Sequence, residues 1–286
     1  MAGKITAVRA TLLMMFSVLV RRCVYLLSGC AALYGVERFC HGQTDGFSIL
    51  KVTSSLTPRP EWECSGTLPP LNQPFVYLGR GVQCYAFSSQ DGRYVLKLFR
   101  HDRMRRAGKL EKTFASYKLA FDAFRAESGL LYMHLNKTHH LNQRVTIYDK
   151  LGIAHTLPLD RMEFLLQERA DLVYPHLVAL MRRGALTEAQ EALAQLVRLL
   201  VFRAVQGIAD KDPNLLTNFG FARGRAIQID VGRFSRTEAP SSREAIIRMT
   251  DPLKKRLQAD YPLLAQNLEE HIRALPDQIT DVQNAL

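Results

Sequence analysis

The chain has 286 residues, 47% of them apolar and 23% charged, which excludes a disordered, collagen-like or low-complexity protein and provides for one large domain or two small lobes. Its formal charge of +11, from 38 basic and 27 acidic residues, favours anionic partners. No zinc spacing and no aromatic strand of an RNA-binding sheet is present, so nucleic acid is not expected among them.

Two apolar runs open the chain, Thr11 to Val20 and Cys23 to Val36, separated by Arg21 and Arg22. Two arginines at the centre of a bilayer are costly, so one span from residue 11 to 36 fits poorly. Residues 1–40 are expected to form a hydrophobic leader or membrane anchor, with the arginines as its positive flank and Cys23 to Val36 as its apolar part. The run Leu26-Leu27-Ser28-Gly29-Cys30 looks like a bacterial lipoprotein box, in which Cys30 takes the lipid. A buried core helix is the alternative, and the side of the membrane is open. Cys40 and Cys64 pair only in an oxidising compartment.

Residues 41–74 hold Pro58, Pro60, Pro69, Pro70 and Pro74 among Ser, Thr and Gly, and read as an irregular connector. The folded core is expected to begin near Phe75. Phe75 to Leu78 is β-rich, Gly79-Arg80-Gly81 is a bend, Val82 to Phe87 is a second strand, Asp91-Gly92 a hairpin turn, and Tyr94 to Phe99 a third strand carrying Lys97. A glycine bend between strands lets backbone N–H groups approach phosphate oxygens. The basic run from Arg100 to Lys112 is either a solvated face or a contact for phosphate or an acidic substrate.

Thr113 to Leu131 has helical periodicity, and strands follow at Arg144 to Tyr148 and Glu163 to Gln167. Leu186 to Gln206 is a long helix ended by Gly207. The densest polar cluster comes next, Asp210 to Asn218, then two strands around the turn 222–225, and then Asp230-Val231-Gly232. Ser242 to Leu257 and Leu263 to Leu275 read as two closing helices. His139 and His140, near His134, are adjacent in sequence and read as surface or loop residues, since neighbours do not share one helix face.

From Phe75 to Phe234 this succession resembles the protein-kinase-like superfamily, whose marks are G-x-G-x-x-G-x-V, a strand lysine, a helix glutamate, a catalytic loop and D-F-G. Here Gly79-x-Gly81-x-x-Cys84 replaces the third glycine, Val95-Leu96-Lys97 carries the lysine, and Asp230-Val231-Gly232 stands for D-F-G. The resemblance implies an α+β, two-lobed fold: a β-rich N-lobe at 75–170 and a compact helical C-lobe at 171–286, behind the hydrophobic N-terminal helix. It implies ATP and Mg²⁺ as cofactors, with Gly79, Gly81 and Lys97 on the phosphates and Glu127 as the partner of Lys97; Glu111 and Asp122 are its rivals. Glu168 to Ala170 would be the hinge that contacts adenine. Asp212 is the expected base, with Asn218 and Asp230 as metal ligands; Asp210 and Asn214 stay open as alternatives, because no His-Arg-Asp is present and the spacings are six and four residues instead of five. No A-P-E follows, so the phosphate acceptor is unnamed. Three readings stand: a membrane-associated ATP-dependent phosphotransferase, an inactive pseudokinase scaffold that binds a protein partner, and an exported α+β protein in which the motifs coincide by chance.

Overall fold

The computed structural model describes residues 2–64, 66–104, 108–239 and 241–280. The chain divides into two compact units, Met1–Ser48 and Ile49–Leu286.

The first unit is one helix, α1 (Ala2–Thr44). The chain is helical straight through Arg21 and Arg22, so the two apolar runs are not separate elements. From Leu19 to Thr44 the helix is apolar and long enough to cross a membrane or to serve as a signal sequence, and Tyr25, Leu26 and Leu27 stand exposed on it. Asp45 and Gly46 end it in left-handed geometry, with Gly46 N donating to His41 O at 3.1 Å.

The second unit opens with α2 (Ile49–Val52) and a 3-10 turn at Pro60–Trp62, inside the proline-rich segment. This segment is docked. Val52 and Leu68 are buried, Trp62 stands edge-on to Phe114 at 5.5 Å, and Asn136 exchanges hydrogen bonds of 2.7 and 3.1 Å with the Arg59 backbone. The compact unit therefore begins at Ile49 and not near Phe75.

Its centre is a seven-stranded sheet of β1 (Phe75–Arg80), β2 (Cys84–Ser89), β3 (Tyr94–Phe99), β4 (Leu130–His134), β5 (Arg144–Tyr148), β6 (Ala154–Pro158) and β7 (Phe164–Glu168), in the order β4-β7-β3-β2-β1-β5-β6. All neighbours are antiparallel except β1 and β5. The interior strand β7 is buried on both faces, its apolar Phe164-Leu165-Leu166 followed by the buried polar Gln167 and Glu168, whereas β5 alternates. Asp91 and Gly92 make the β2–β3 turn, with Gly92 at φ 70°.

Between β3 and β4 lie α3 (His101–Met104), α4 (Lys109–Ala123) and α5 (Arg125–Ser128). The single helix expected over 113–131 is thus divided. Phe124 leaves helical geometry and packs against Phe202 and Phe234, and Gly129 at φ 64° turns the chain into β4. Leu130 to His134, read in the sequence partly as the end of the helix, forms a strand beside β7. The Val145 strand forms a hairpin with β6 and lies against β1.

The remainder is β8 (Asp171–Leu172), α6 (Val173–Arg182), α7 (Leu186–Val205), β9 (Ile208–Asp210), β10 (Phe219–Ala222), β11 (Arg225–Gln228), β12 (Phe234–Arg236), β13 (Ser241–Ser242), α8 (Arg243–Asp260), α9 (Pro262–Arg273) and β14 (Gln278–Ile279). The strands pair as β11-β10-β8, β12-β9 and β13-β14. Helix α7 buries Leu193, Leu196, Val197 and Leu200 at helical spacing, each burial stabilising by roughly 1.5–3 kcal/mol. Gly207 ends α7 at φ 61°, where a Cβ would meet Thr237 O at 2.9 Å. The Ser242 hydroxyl caps α8 by accepting from Ala245 N.

Candidate functional site

A cleft of about 230 Å³ opens between the β1–β2 bend, β3, α4 and the loops flanking β10 and β11. It is lined by Gly81, Lys97, Asp210, Asp212, Asn218 and Asp230, so six of the residues singled out in the sequence face one space. Gly79, Glu127 and Asn214 do not line it.

Lys97 enters from β3, and its Nζ donates to Ile229 O at 2.5 Å. Burial pushes its ammonium down from the usual lysine range, while Asp230 and Cys84 pull it back up. Asp230 is exposed at the end of β11, and its Oδ1 accepts from Gly232 N at 3.1 Å. Asn218 is buried just before β10. Its Nδ2 donates to Asp212 O at 2.8 Å, and its Oδ1 accepts from Thr217 Oγ1 at 3.0 Å.

The two loop aspartates are placed differently. The Asp210 carboxyl is buried: it pairs with Arg203 at 3.3 Å and accepts from Gln228 Nε2 at 2.6 Å and from Asp212 N at 2.9 Å. Burial raises its pKa, although Arg203 and those donors oppose the shift. Asp212 keeps a half-exposed carboxyl, 3.4 Å from Arg233. Asn214 is a turn former, its Oδ1 accepting from Leu216 N at 3.0 Å, and it faces away from the cleft.

Helix α4 brings no carboxylate to Lys97. Glu127 lies beyond the break at Phe124, on α5; Glu111 pairs with Arg59 at 3.7 Å; Asp122 lines a different cavity. The helix instead presents Thr113, Ser116 and Tyr117. Ser116 Oγ donates to Val231 O and accepts from Phe234 N, both at 2.5 Å, so the helix clamps the Asp230–Gly232 loop through a hydroxyl. Tyr117 hydrogen-bonds Cys84, which stands where the third glycine was expected, and burial pushes the Cys84 thiol up to about 12.

The bend is shaped by more than its glycines. A Cβ on Gly79 would meet nothing within 4 Å and one on Gly81 only Cys84 O at 3.8 Å, so neither is demanded by the fold itself. Gly81 N donates to Cys84 O at 2.8 Å. Arg100, first of the basic run, is buried behind the bend, donating to Gly81 O at 3.1 Å and pairing with Asp102. Arg105 and Arg106 lie outside the described residues. Gln83 reaches across the cleft and donates to Gly232 O at 3.0 Å; a Cβ on Gly232 would fall 1.9 Å from its Oε1. Gln83, Ser116, Tyr117 and Arg233 escaped the sequence reading, because none belongs to a motif and only the fold brings them to the cleft.

Glu168 to Ala170 do not line the cavity. Glu168 N donates to Gly129 O, Arg169 N to Arg93 O, and the Glu168 carboxyl holds Arg225 at 2.8 Å. The described residues contain no group of three His, Cys, Asp or Glu placed to hold a metal. The oxygen donors Asp230 and Asn218 fit Mg²⁺, which is held by one or two carboxylates together with substrate phosphates. His134 is buried, with Nδ1 2.7 Å from Met162 O, and all five cysteines are free.

No protein-family model matches the chain, and a search of curated proteins finds no match. Among solved structures the chain is similar to the bifunctional kinase-methyltransferase WbdD, at 16% identity and a TM-score of 0.33 over 68% of this chain and 43% of that one. It is also similar to a Mycobacterium tuberculosis protein, Rv3197, in complex with erythromycin, at 15% identity and a TM-score of 0.33 over 70% of this chain and 55% of that one. The chain thus spans about half the length of these two structures, and both likenesses are distant.

Proposed function

We propose that the chain is a membrane-tethered, kinase-like phosphotransferase that uses ATP and Mg²⁺, with residues 75–170 and 171–286 as the two lobes around the cleft. One observation carries the reading: Lys97, Asp212, Asn218 and Asp230, from three separate stretches of chain, line one cavity. Lys97 and the N–H groups of the Gly81 bend would meet the phosphates, and Asp230 with Asn218 Oδ1 would hold the metal. The metal supplies neutralisation of phosphate charge. Asp212 is the base, because its carboxyl is open to the cleft while its backbone is fixed by Asn218 and by the Asp210 carboxyl. Asp210 acts as a brace, and α1 supplies the membrane attachment.

Mg²⁺-dependent ATP binding to the full chain in detergent, measured by calorimetry beside Lys97→Ala and Asp230→Ala, tests this. Binding by the wild type that both substitutions abolish supports the reading, and a folded wild type that binds no nucleotide sinks it.

A second reading, an inactive scaffold with a protein partner, is favoured by a different observation. Lys97 is held by Ile229 O, the helix offers Tyr117 in place of a carboxylate, and the cavity does not extend to residues 168–170.

A further inference from the structure

A second, more open cavity of about 550 Å³ lies between the Asp210–Leu216 loop and α8. Asp210 and Asp212 line both cavities, so the exposed carboxyl of Asp212 stands where they meet. The second cavity carries two cations, Lys211 and Arg248, beside apolar surface from Leu216 and Met249. Among the described residues neither cationic side chain makes a hydrogen bond or an ion pair, and Arg248 feels the charge of the exposed Glu244 one turn earlier on α8. The other two arginines of this region are already engaged, Arg203 by Asp210 and Arg233 by Asp212. Pro252 lies inside α8 on the wall of the same cavity.

Two exposed cations beside one reactive carboxylate select a ligand that carries both an anion and a hydroxyl. Charge-assisted hydrogen bonds from Lys and Arg to phosphate are the stronger kind, and Arg can grip phosphate through two parallel bonds. We propose that this groove is the acceptor subsite and that the acceptor is a hydroxyl compound bearing a phosphate group, its phosphate on Lys211 and Arg248 and its hydroxyl at Asp212. The inference rests on the phosphotransferase reading. In the transfer the acceptor oxygen bonds to the terminal phosphorus of a nucleoside triphosphate while the bond from that phosphorus to the bridging oxygen breaks. The nucleoside diphosphate leaves with the bonding electron pair, and the hydroxyl proton passes to the Asp212 carboxylate. A soluble polyol phosphate and an anionic glycerophospholipid headgroup share this chemistry.

The full chain in detergent is titrated with glycerol 3-phosphate and, separately, with dihexanoyl-phosphatidylglycerol; glycerol and dihexanoyl-phosphatidylcholine are the controls. Binding is read by calorimetry and thermal shift, and ATP binding is measured on the same samples. One or both phosphate probes are expected to bind, the responding probe identifying the soluble or the lipid source. The double variant Lys211→Ala/Arg248→Ala should weaken that binding by about tenfold or more. It should leave ATP binding unchanged, and Arg248→Lys should retain most of the probe affinity. Lys97→Ala should lose ATP and keep the probe. Absence of probe binding by the wild type, or binding indifferent to the double variant, overturns the acceptor site. Probe binding by a wild type that binds no ATP leaves an anion site and removes its role as acceptor, a result distinct from failure of the groove itself.

Discussion

Lys97 bears two opposed demands. Its ammonium is desolvated in the cleft wall, which lowers its pKa from 10.5, while Asp230 opposes the shift. A lysine whose folded pKa is depressed binds its proton less tightly than in the unfolded chain. Its burden on stability is therefore full below the folded pKa and fades as pH rises towards 10.5. Lys97→Met keeps the length of the side chain and removes the buried charge. It is expected to raise stability at neutral pH by about 1 kcal/mol in urea unfolding, the gain shrinking as pH rises towards 10.5, and to abolish any thermal shift with Mg-ATP. A destabilised variant would show that the cation is needed to hold Ile229 and Asp230 in place. At this scale short motifs single out Lys97 and Asp230 and leave Asp212 with Asn218 open against Asp210 with Asn214, and they give no sign of Ser116 and Gln83, whose partners Val231 and Gly232 are 115 and 149 residues away in the chain. No local pattern encodes such contacts.

Strands and helices were legible wherever one period ran unbroken. The α7 stripe, the Asp91-Gly92 hairpin and the two closing helices follow from spacing and turn chemistry. The helix after β3 was not, because its apolar residues continue into β4 without a change of composition; the left-handed Gly129 and the buried Phe124 decide the break. That break removes Glu127 from the cleft. Glycines divide in the same way. Gly220 on β10 lies against the β8 backbone, so that a Cβ would fall 2.4 Å from Asp171 O. Gly220→Ala should cost about 2–3 kcal/mol, seen as a lower urea midpoint with an unchanged slope. Gly79→Ala should leave stability within about 0.5 kcal/mol, since its Cβ would meet nothing. An equal loss in both variants would mean that β1 is more tightly packed than its surroundings indicate.

At the scale of the molecule, α1 and the unit from Ile49 onward are separate compact bodies. The apolar stretch Leu19–Thr44 extends about 39 Å as a helix, against a hydrocarbon core of about 30 Å. The full chain is expected in the membrane fraction and to resist alkaline carbonate extraction. Deletion of residues 1–48 should release a soluble protein with an unchanged cooperative melt. Quantitative extraction of the full chain would argue for a cleaved leader instead.

The sequence alone determined the apolar N-terminal helix, the order of most strands and helices, and the candidate polar residues, because periodicity, turn glycines and short motifs are local properties of the chain. Only the tertiary structure decided that Glu127 and Asn214 stand away from the cleft, that the Asp210 carboxyl is buried against Arg203 while Asp212 is open, and that β5 lies beside β1 with β6 at the edge. These outcomes depend on which distant surfaces pack together, and packing is set by the whole core at once.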